Sequence, residues 1–151
     1  QAVEIIRKYW EDVAITTDII VGFPGETDED FKESYEFAKK VGVAKIHVFP
    51  CSPKKGTPAE KMDCQVIPQV KAERSHILIE LSDKMAQDFI NKFINKEVEV
   101  LFEQNHKKKI FEGHTSNYIN VTVESDENIK NKIQMVRLTN PLNEKVFGEL
   151  C

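Results

Sequence analysis

The segment Gly22-Phe23-Pro24-Gly25-Glu26-Thr27 interrupts an apolar run and is followed by an acidic segment. A glycine-rich turn between a strand and a helix can hold phosphate on free backbone N–H groups. The spacing here is not that of a GxGxxG or GK[ST] loop, Pro24 lacks an N–H group, and Glu26 would repel an anion. Ligands of parallel α/β sheets bind at the carboxyl ends of the strands. The turn is therefore predicted to be a ligand site that does not hold phosphate directly.

A second candidate loop extends from Pro50 to Pro58 and is rich in turn-forming and basic residues. Such loops hold ligands more often than they stabilise a fold. The cysteines, Cys51, Cys64 and Cys151, have spacings that fit neither a disulfide framework nor a CxxC metal site. We interpret Cys51 as a small, partly buried thiol and expect all three to be reduced, because no Cys or His lies at ligand spacing.

The elements that position these loops follow from the hydrophobic periodicity. The predicted order is helix, strand, helix, strand and long helix, over Ala2 to Trp10, Val13 to Val21, Thr27 to Gly42, Ala44 to Phe49 and from about Pro68 onwards. Thr27 and Asp30 are typical of a helix start, and Gly42 of a helix end. Strand, helix and strand in this space predict a right-handed parallel βαβ unit. Apolar residues of the long helix form one stripe, which we assign to the core rather than to a cofactor, at Ile77, Leu78, Leu81, Met85 and Phe89.

The composition changes after Lys96, where short apolar segments alternate with polar turns. Five strands are predicted at 97–102, 110–114, 118–124, 133–138 and 145–150. So many short strands predict a small closed barrel of the OB type, because closure removes exposed edges. The fold class is thus an α/β part followed by an all-β part, with domains at 1–88 and 89–151.

Composition and charge limit the possible function classes. The 151 residues are 40% apolar and 30% charged, with no apolar run of membrane-spanning length. The net charge of −4 does not favour binding of nucleic acid by the chain as a whole, so any RNA contact must rely on shape or on a local basic patch such as Lys107 to Lys109. The chain begins at Gln1 without a secretory signal pattern. We expect a cytoplasmic piece of a longer protein, with no membrane association.

Three blocks of the sequence resemble the radical S-adenosylmethionine tRNA methylthiotransferases. "TDIIVGFPGETDEDF" resembles the fifth-strand segment of radical S-adenosylmethionine enzymes, and "HVFPCSPKKGTPAEKM" resembles the sixth strand and loop of the methylthiotransferases. "EVEVLFEQ" with "FEGHTSNYINVTV" is similar to their C-terminal TRAM domain. The resemblance implies the C-terminal part of a partial (β/α) barrel, followed by an OB-like five-stranded TRAM barrel.

One loop bears on the substrate branch. His47-Val48-Phe49-Pro50 before Ser-x-x-x-Gly-Thr-x-Ala resembles the branch that methylthiolates N6-threonylcarbamoyladenosine beside the anticodon. The branches that act on isopentenyladenosine or on a ribosomal-protein aspartate usually differ there. Ser52 and Lys54 are accordingly expected at the substrate. Lys54 stands where Arg is common and loses the bidentate fork of a guanidinium, and Cys51 stands where Tyr is usual.

The resemblance also implies a place for the adenine of S-adenosylmethionine. It would lie against apolar and backbone groups of two strand ends, namely Ile20, Val21, Gly22, Phe23, Val48 and Phe49. Gly22 is expected to be required because a side chain would block close approach of the backbone. Thr17 and Asp18 either face the cofactor or form bonds within the barrel. A tight turn without a ligand remains an alternative for Gly22 to Gly25.

For the TRAM domain, the resemblance implies contact with the tRNA anticodon stem-loop. Lys107, Lys108 and Lys109 would meet phosphates, Tyr118 would stack on a base, and His114 and Asn117 would hydrogen-bond RNA. The plainer alternatives are a solvated lysine turn, a core tyrosine and a histidine without a ligand. Four glutamates make part of the barrel acidic, so only one face is expected to serve RNA: Glu97, Glu99, Glu103 and Glu112.

The family's chemistry requires residues that this sequence does not contain. Its CxxxCxxC motif holds a [4Fe-4S] cluster that binds S-adenosylmethionine, and further N-terminal cysteines hold a second [4Fe-4S] cluster. A sulfur donor and a reductant are also implied. We therefore assign no catalytic or metal-binding residue here and expect this chain alone to be inactive. Two alternatives are an RNA-binding module without catalysis and, less favoured, an unrelated α/β enzyme that uses Cys51 and Cys64 in redox chemistry, although these lack CxxC spacing.

Overall fold

The structure, a computed structural model, describes residues 2–107, 109–142 and 145–151, without the side chains of His106 and Lys107. The helices are α1 (Ala2–Tyr9), α2 (Asp28–Val41) and α3 (Pro68–Asn91), with a short 3-10 helix at Pro58–Lys61. The strands are β1 (Thr16–Val21), β2 (Lys45–Pro50), β3 (Glu97–Lys107), β4 (Ile110–Thr115), β5 (Asn120–Glu124), β6 (Ile133–Leu142) and β7 (Lys145–Leu150).

The chain forms two compact units. One comprises Ile15–Met85, and the other comprises Gln1–Ala14 together with Ala86–Cys151. We call them the α/β unit and the barrel unit. The α/β part followed by a closed five-stranded barrel confirms the predicted fold class. The domain division at 88 and 89 stays a prediction.

In the α/β unit, the parallel βαβ arrangement was predicted correctly. β1 and β2 pair in parallel, from Thr16 opposite Lys45 to Val21 opposite Pro50. α2 begins with a reciprocal cap: the Thr27 hydroxyl accepts the Asp30 N–H at 3.1 Å, and the Asp30 carboxylate accepts the Thr27 N–H at 3.0 Å. The backbone N–H of Thr27, and then its hydroxyl, lower the pKa of Asp30. The helix ends at Gly42 in a left-handed conformation, φ +64°.

One face of the two strands is covered by helices, and the other is exposed. The predicted α3 stripe supplies core residues to the covered face, and the core comprises Val21, Ala38, Val43, Ile46, Leu78, Leu81 and Met85. The buried Ser82 hydroxyl joins α3 to β2 by accepting the Ile46 N–H at 2.9 Å and donating to the Ile46 carbonyl at 3.1 Å. Period-two alternation places Asp18, Ile20, His47 and Phe49 on the exposed face of this unit.

The barrel closes in the order β3-β4-β5-β7-β6. All neighbours pair antiparallel except β5 and β7, which pair in parallel. Its core contains the end of α3 and the inward side chains of the strands: Ile90, Phe93, Val100, Phe102, Phe111, Val121, Val123, Val136, Leu138 and Val146. This arrangement confirms the predicted OB-like barrel.

The largest differences from the predicted strand bounds are in β1, β3, β5 and β6. β1 begins at Thr16 rather than at Val13. β3 continues to Lys107 and β6 to Leu142, because register shifts after Phe102, Asn105 and Leu138 bend the strands without ending the pairing. The strand predicted from residue 118 begins at Asn120, because Tyr118 has a φ of +64° and cannot form extended backbone.

Candidate functional site

The loop of residues 22–27, which we call the strand-end loop, follows β1 directly. Gly22 and Gly25 have φ values of +72° and +89°, which glycine adopts without steric cost. The Gly22 N–H donates to the Glu26 carboxylate at 2.6 Å, and the Glu26 N–H donates to the Phe23 carbonyl at 2.9 Å. A Cβ atom at Gly22 would overlap the side chain of Lys71. Glu26 therefore closes the loop by accepting one of its backbone donors.

Arg74 of α3 neutralises Glu26. Its Nη1 donates to the Glu26 carboxylate at 2.5 Å and to the Glu26 carbonyl at 3.2 Å, and its Nη2 donates to Asp28 at 2.7 Å. The Arg74 and Glu26 side chains are only 6% and 14% exposed, whereas Asp28 is 91% exposed. Burial lowers the pKa of Arg74, but the hydrogen bonds to Asp28 and Glu26 outweigh it and raise the pKa. The guanidinium stays charged and lies 5.4 Å from the Phe31 ring centroid.

This ion pair was missed at the sequence level, where Glu26 was interpreted only as an obstacle to anions. A signal was nevertheless present. Arg74 lies four residues before Leu78 and seven before Leu81, so it shares the buried face of α3. A charged residue on a buried helix face requires a partner, because desolvation of an unpaired charge is costly.

The second candidate loop is bonded to the end of β1, where the strand-end loop begins. The Cys51 N–H donates to the Val21 carbonyl at 2.8 Å. Beyond the second loop, the Cys64 carbonyl accepts the Gly25 N–H at 2.9 Å. Lys71 Nζ donates to the Cys51 carbonyl at 2.8 Å. Ser52 and Lys54 are exposed in this loop. The predicted substrate residues thus lie in a loop that is bonded to the predicted cofactor residues.

In the barrel unit, the β4–β5 turn brings three predicted RNA-binding residues together. Asn117 Nδ2 donates to the Asp12 carbonyl at 3.1 Å, and Asn117 Oδ1 accepts the Thr115 hydroxyl at 2.5 Å. His114 Nδ1 lies 2.9 Å from the Glu103 carboxylate, and its ring centroid is 6.2 Å from that of Tyr118. Tyr118 is 84% exposed. The alternative that Tyr118 is a core residue is therefore wrong.

The basic tip between β3 and β4 is only partly described. Lys109 Nζ lies 2.5 Å from the Asp126 carboxylate, and both side chains are exposed. Lys108 and the side chain of Lys107 lie outside the described residues. An RNA phosphate at Lys109 would have to compete with Asp126.

The chain is similar to known tRNA-modifying enzymes. The threonylcarbamoyladenosine tRNA methylthiotransferase MtaB of Bacillus subtilis is 39% identical over 149 residues, which cover 94% of this chain and 33% of that protein. The tRNA-2-methylthio-N(6)-dimethylallyladenosine synthase of Acetivibrio thermocellus is 41% identical over 135 residues, or 88% of this chain and 28% of that protein. The MtaB of Thermotoga maritima is 39% identical over 79% of this chain and 27% of that protein. This chain belongs to the tRNA methylthiotransferase family.

The similarity confirms the expected family, with this chain matching a C-terminal fragment. The chain spans about a third or less of the length of these curated relatives. No protein-family model matches it. Some of these relatives are named for threonylcarbamoyladenosine and others for dimethylallyladenosine. What the names share is that each relative is a tRNA methylthiotransferase.

The residues expected at the adenine of S-adenosylmethionine fall into two groups. Ile20 and Phe49 are paired in register and, like Phe23, are exposed large apolar side chains at the strand ends. These three fit an apolar surface for a planar base. Val21 is fully buried and Val48 packs against the same core, so their side chains face away from this surface. The Val21 carbonyl and the Gly22 N–H are already engaged by Cys51 and Glu26.

Two further sequence expectations concern metals and membranes. Across residues 2–107, 109–142 and 145–151, no group of three or more His, Cys, Asp or Glu residues is arranged to hold a metal ion. The three cysteines are free thiols. Within the same residues, no helix combines the length and apolar character needed to cross a bilayer.

Proposed function

We propose that this chain is the C-terminal part of a cytoplasmic enzyme that adds a methylthio group to the adenine C2 of N6-threonylcarbamoyladenosine in tRNA. The observation that carries the proposal is the similarity over 94% of the chain to a relative named as a threonylcarbamoyladenosine tRNA methylthiotransferase. The loop from His47 to Ala59 supports the same branch by its resemblance. Modification of dimethylallyladenosine is the alternative, because relatives with that name match at similar identity.

In this proposal the α/β unit contributes the apolar wall of the cofactor site. Ile20, Phe23 and Phe49 bind the adenine of S-adenosylmethionine, and Glu26 with Arg74 holds the strand-end loop that carries Phe23. S-adenosylmethionine and two [4Fe-4S] clusters supply the radical chemistry when bound, with cluster ligands outside this chain. A sulfur donor and a reductant are further partners. Ser52 and Lys54 face the substrate from the adjoining loop.

The barrel unit contributes RNA binding. Tyr118 is exposed for stacking on a base, and His114 and Asn117 lie in or beside the same turn with polar groups for hydrogen bonds. Lys109 lies at the basic tip. The outward residues of β3 are acidic at Glu97, Glu99 and Glu103, and Glu103 lies beside His114, so the RNA phosphates are proposed to stay clear of this side of the β4–β5 turn.

The proposal is tested by expressing the complete protein that contains this chain, with its clusters intact, and analysing tRNA nucleosides by mass spectrometry. We expect 2-methylthio-N6-threonylcarbamoyladenosine. The dimethylallyl product would reassign the branch, and the absence of both products would refute the function. Ile20→Asp should weaken binding of S-adenosylmethionine about tenfold or more, because a carboxylate replaces an apolar contact. Ile79→Asp on the exposed side of α3 is the matched control and should leave binding unchanged.

A further inference from the structure

A cleft in the barrel unit separates the end of α1 from the β4–β5 turn. Its walls are Tyr9–Ala14 on one side and Ser116–Tyr118 on the other, and its volume is about 680 Å³. We call it the Trp10–Tyr118 cleft. The hydrogen bond from Asn117 to the Asp12 carbonyl joins the two walls. The cleft is therefore a feature of a single compact unit, with its sides fixed to each other.

Tyr118 occupies an unfavourable backbone conformation in this cleft. Its φ of +64° lies in the left-handed region, which is unfavourable for a non-glycine residue. Gly or Asn would form the same turn at lower cost. Burial does not compensate the strain, because the side chain is 84% exposed. The turn thus holds an aromatic ring in solvent at a cost to stability, which points to a contact outside the chain.

The opposite wall also presents aromatic rings. Trp10 is 67% exposed, and Tyr9 beside it is likewise exposed. The Trp10 N–H donates to the Ile6 carbonyl at 2.9 Å, and the Val13 N–H donates to the Trp10 carbonyl at 3.3 Å. These bonds fix the backbone of Trp10 at the end of α1. Exposed aromatic faces of this kind bind planar bases by stacking.

The charged groups that line the cleft are carboxylates. Glu11 and Asp12 line it with exposed carboxylates, and no ion pair of either is present among the described residues. Carboxylates repel phosphate but accept hydrogen bonds from the exocyclic amino groups of adenine, cytosine and guanine. Uracil lacks an exocyclic amino group and offers a carboxylate only its ring N3–H. A guanidinium or ammonium would also pair with these carboxylates, but the exposed aromatic rings on both walls and the RNA-binding role proposed for this unit favour a base.

We propose that the Trp10–Tyr118 cleft binds one unpaired nucleobase that carries an exocyclic amino group. The base stacks on the aromatic rings and donates to the carboxylates, while its phosphates remain outside the cleft. The proposal rests on the proposed RNA-binding function of the barrel unit and specifies a subsite of it. Trp10 belongs to this subsite although it precedes the barrel in the chain by more than eighty residues.

Trp10 is the single tryptophan of the chain and reports directly on the cleft. The fluorescence of Trp10 is measured in the 151-residue chain during titration with short single-stranded oligoadenylate and, separately, with oligouridylate. Oligoadenylate should quench the emission, and oligouridylate should bind several-fold more weakly. Binding of tRNA is measured in parallel by filter retention, because that readout does not use the fluorescence of Trp10.

Two variants separate recognition from folding. Tyr118→Asn suits the left-handed backbone, so it should raise the unfolding temperature while weakening oligoadenylate binding about tenfold. Tyr118→Phe keeps the ring and should bind oligoadenylate within twofold of the parent. A purely structural Tyr118 would give the opposite pattern, with RNA affinity unchanged in Tyr118→Asn.

The outcomes also distinguish the cleft from the wider function. Retention of tRNA without quenching by oligoadenylate would overturn the cleft proposal and leave the proposed function intact. Quenching by an arginine-rich peptide but not by oligoadenylate would reassign the cleft to a protein cation and overturn the proposal. Failure of the chain to retain any RNA would overturn both the cleft proposal and the RNA-binding role of the barrel unit. Methylthiolation is tested separately, by analysing the tRNA nucleosides that the complete protein produces.

Discussion

Replacing Glu26 by Gln tests whether Arg74 stabilises the strand-end loop through charge. The two side chains have nearly the same shape, and Gln can still accept the Gly22 N–H. The same oxygen of residue 26 accepts from Gly22 and from Arg74 Nη1, so Gln keeps a neutral acceptor for both and the substitution removes only the negative charge. The buried guanidinium then has Asp28 as its remaining charged partner.

The expected cost follows from burial and from the remaining partners. Removing one member of a buried ion pair costs about 3–5 kcal/mol when the other charge is left unpaired. Arg74 keeps a bond to Asp28, so we expect a smaller loss of unfolding free energy, about 2 kcal/mol. Asp28→Asn is the matched control, because Asp28 pairs with the same guanidinium but is 91% exposed. Solvent screening limits its expected cost to about 0.5 kcal/mol.

Urea unfolding followed by far-ultraviolet circular dichroism measures both variants against the parent. An unfolding free energy for Glu26→Gln within about 0.5 kcal/mol of the parent value would refute the stabilising role of the charge. Equal losses in Glu26→Gln and Asp28→Asn would also refute the reasoning, because burial would then not distinguish the two partners.

Two further outcomes are expected. Gly113→Ala places a Cβ atom on the backbone of Leu101 and Phe102, so it should destabilise the barrel by about 3 kcal/mol in the same assay. Gly56→Ala is the control, because its Cβ atom would meet open space. It should lower the unfolding free energy by only about 1 kcal/mol, because residue 56 has a left-handed φ of +86°. Similar losses of unfolding free energy in the two variants would contradict the close packing of Gly113. Thr27 lowers the pKa of Asp30 in the folded state. The capping box therefore contributes its full stabilisation of α2 at pH values above the ordinary aspartate pKa of 3.8. This contribution is lost as the pH falls through the lowered pKa of the folded state. The stability difference between the parent and Asp30→Ala should therefore shrink in acid, and a difference independent of pH would exclude the carboxylate as its source.

Local signals in the sequence predicted the elements of the fold well. Thr27 and Asp30 are three residues apart, and Gly42 follows the helix directly, so neighbouring residues alone specify both ends of α2. The five barrel strands also follow from short-range alternation. Their extensions were missed where bulges allow pairing to continue beyond the regular pattern, as at Asn105 and Leu138.

The details of the site depend on contacts between distant parts of the chain. Glu26 and Arg74 are 48 residues apart, and Asp12 and Asn117 are 105 residues apart. Periodicity gives the face on which each residue lies but not the residue that it meets. The family resemblance indicated Ile20, Phe23 and Phe49 as site residues, but it did not reveal that Val21 is fully buried or that Gly22 uses its N–H to bind Glu26.

The position of β7 between β5 and β6 makes closure of the barrel depend on its last strand. β7 inserts between β5 and β6, and its Val146 fills the core. Without residues 145–150, the other four strands would form an open sheet in which β5 and β6 each present an unpaired edge. Unpaired edges recruit strands from other chains. A chain truncated before Lys145 is thus expected to aggregate, although it contains most of the barrel's apolar residues.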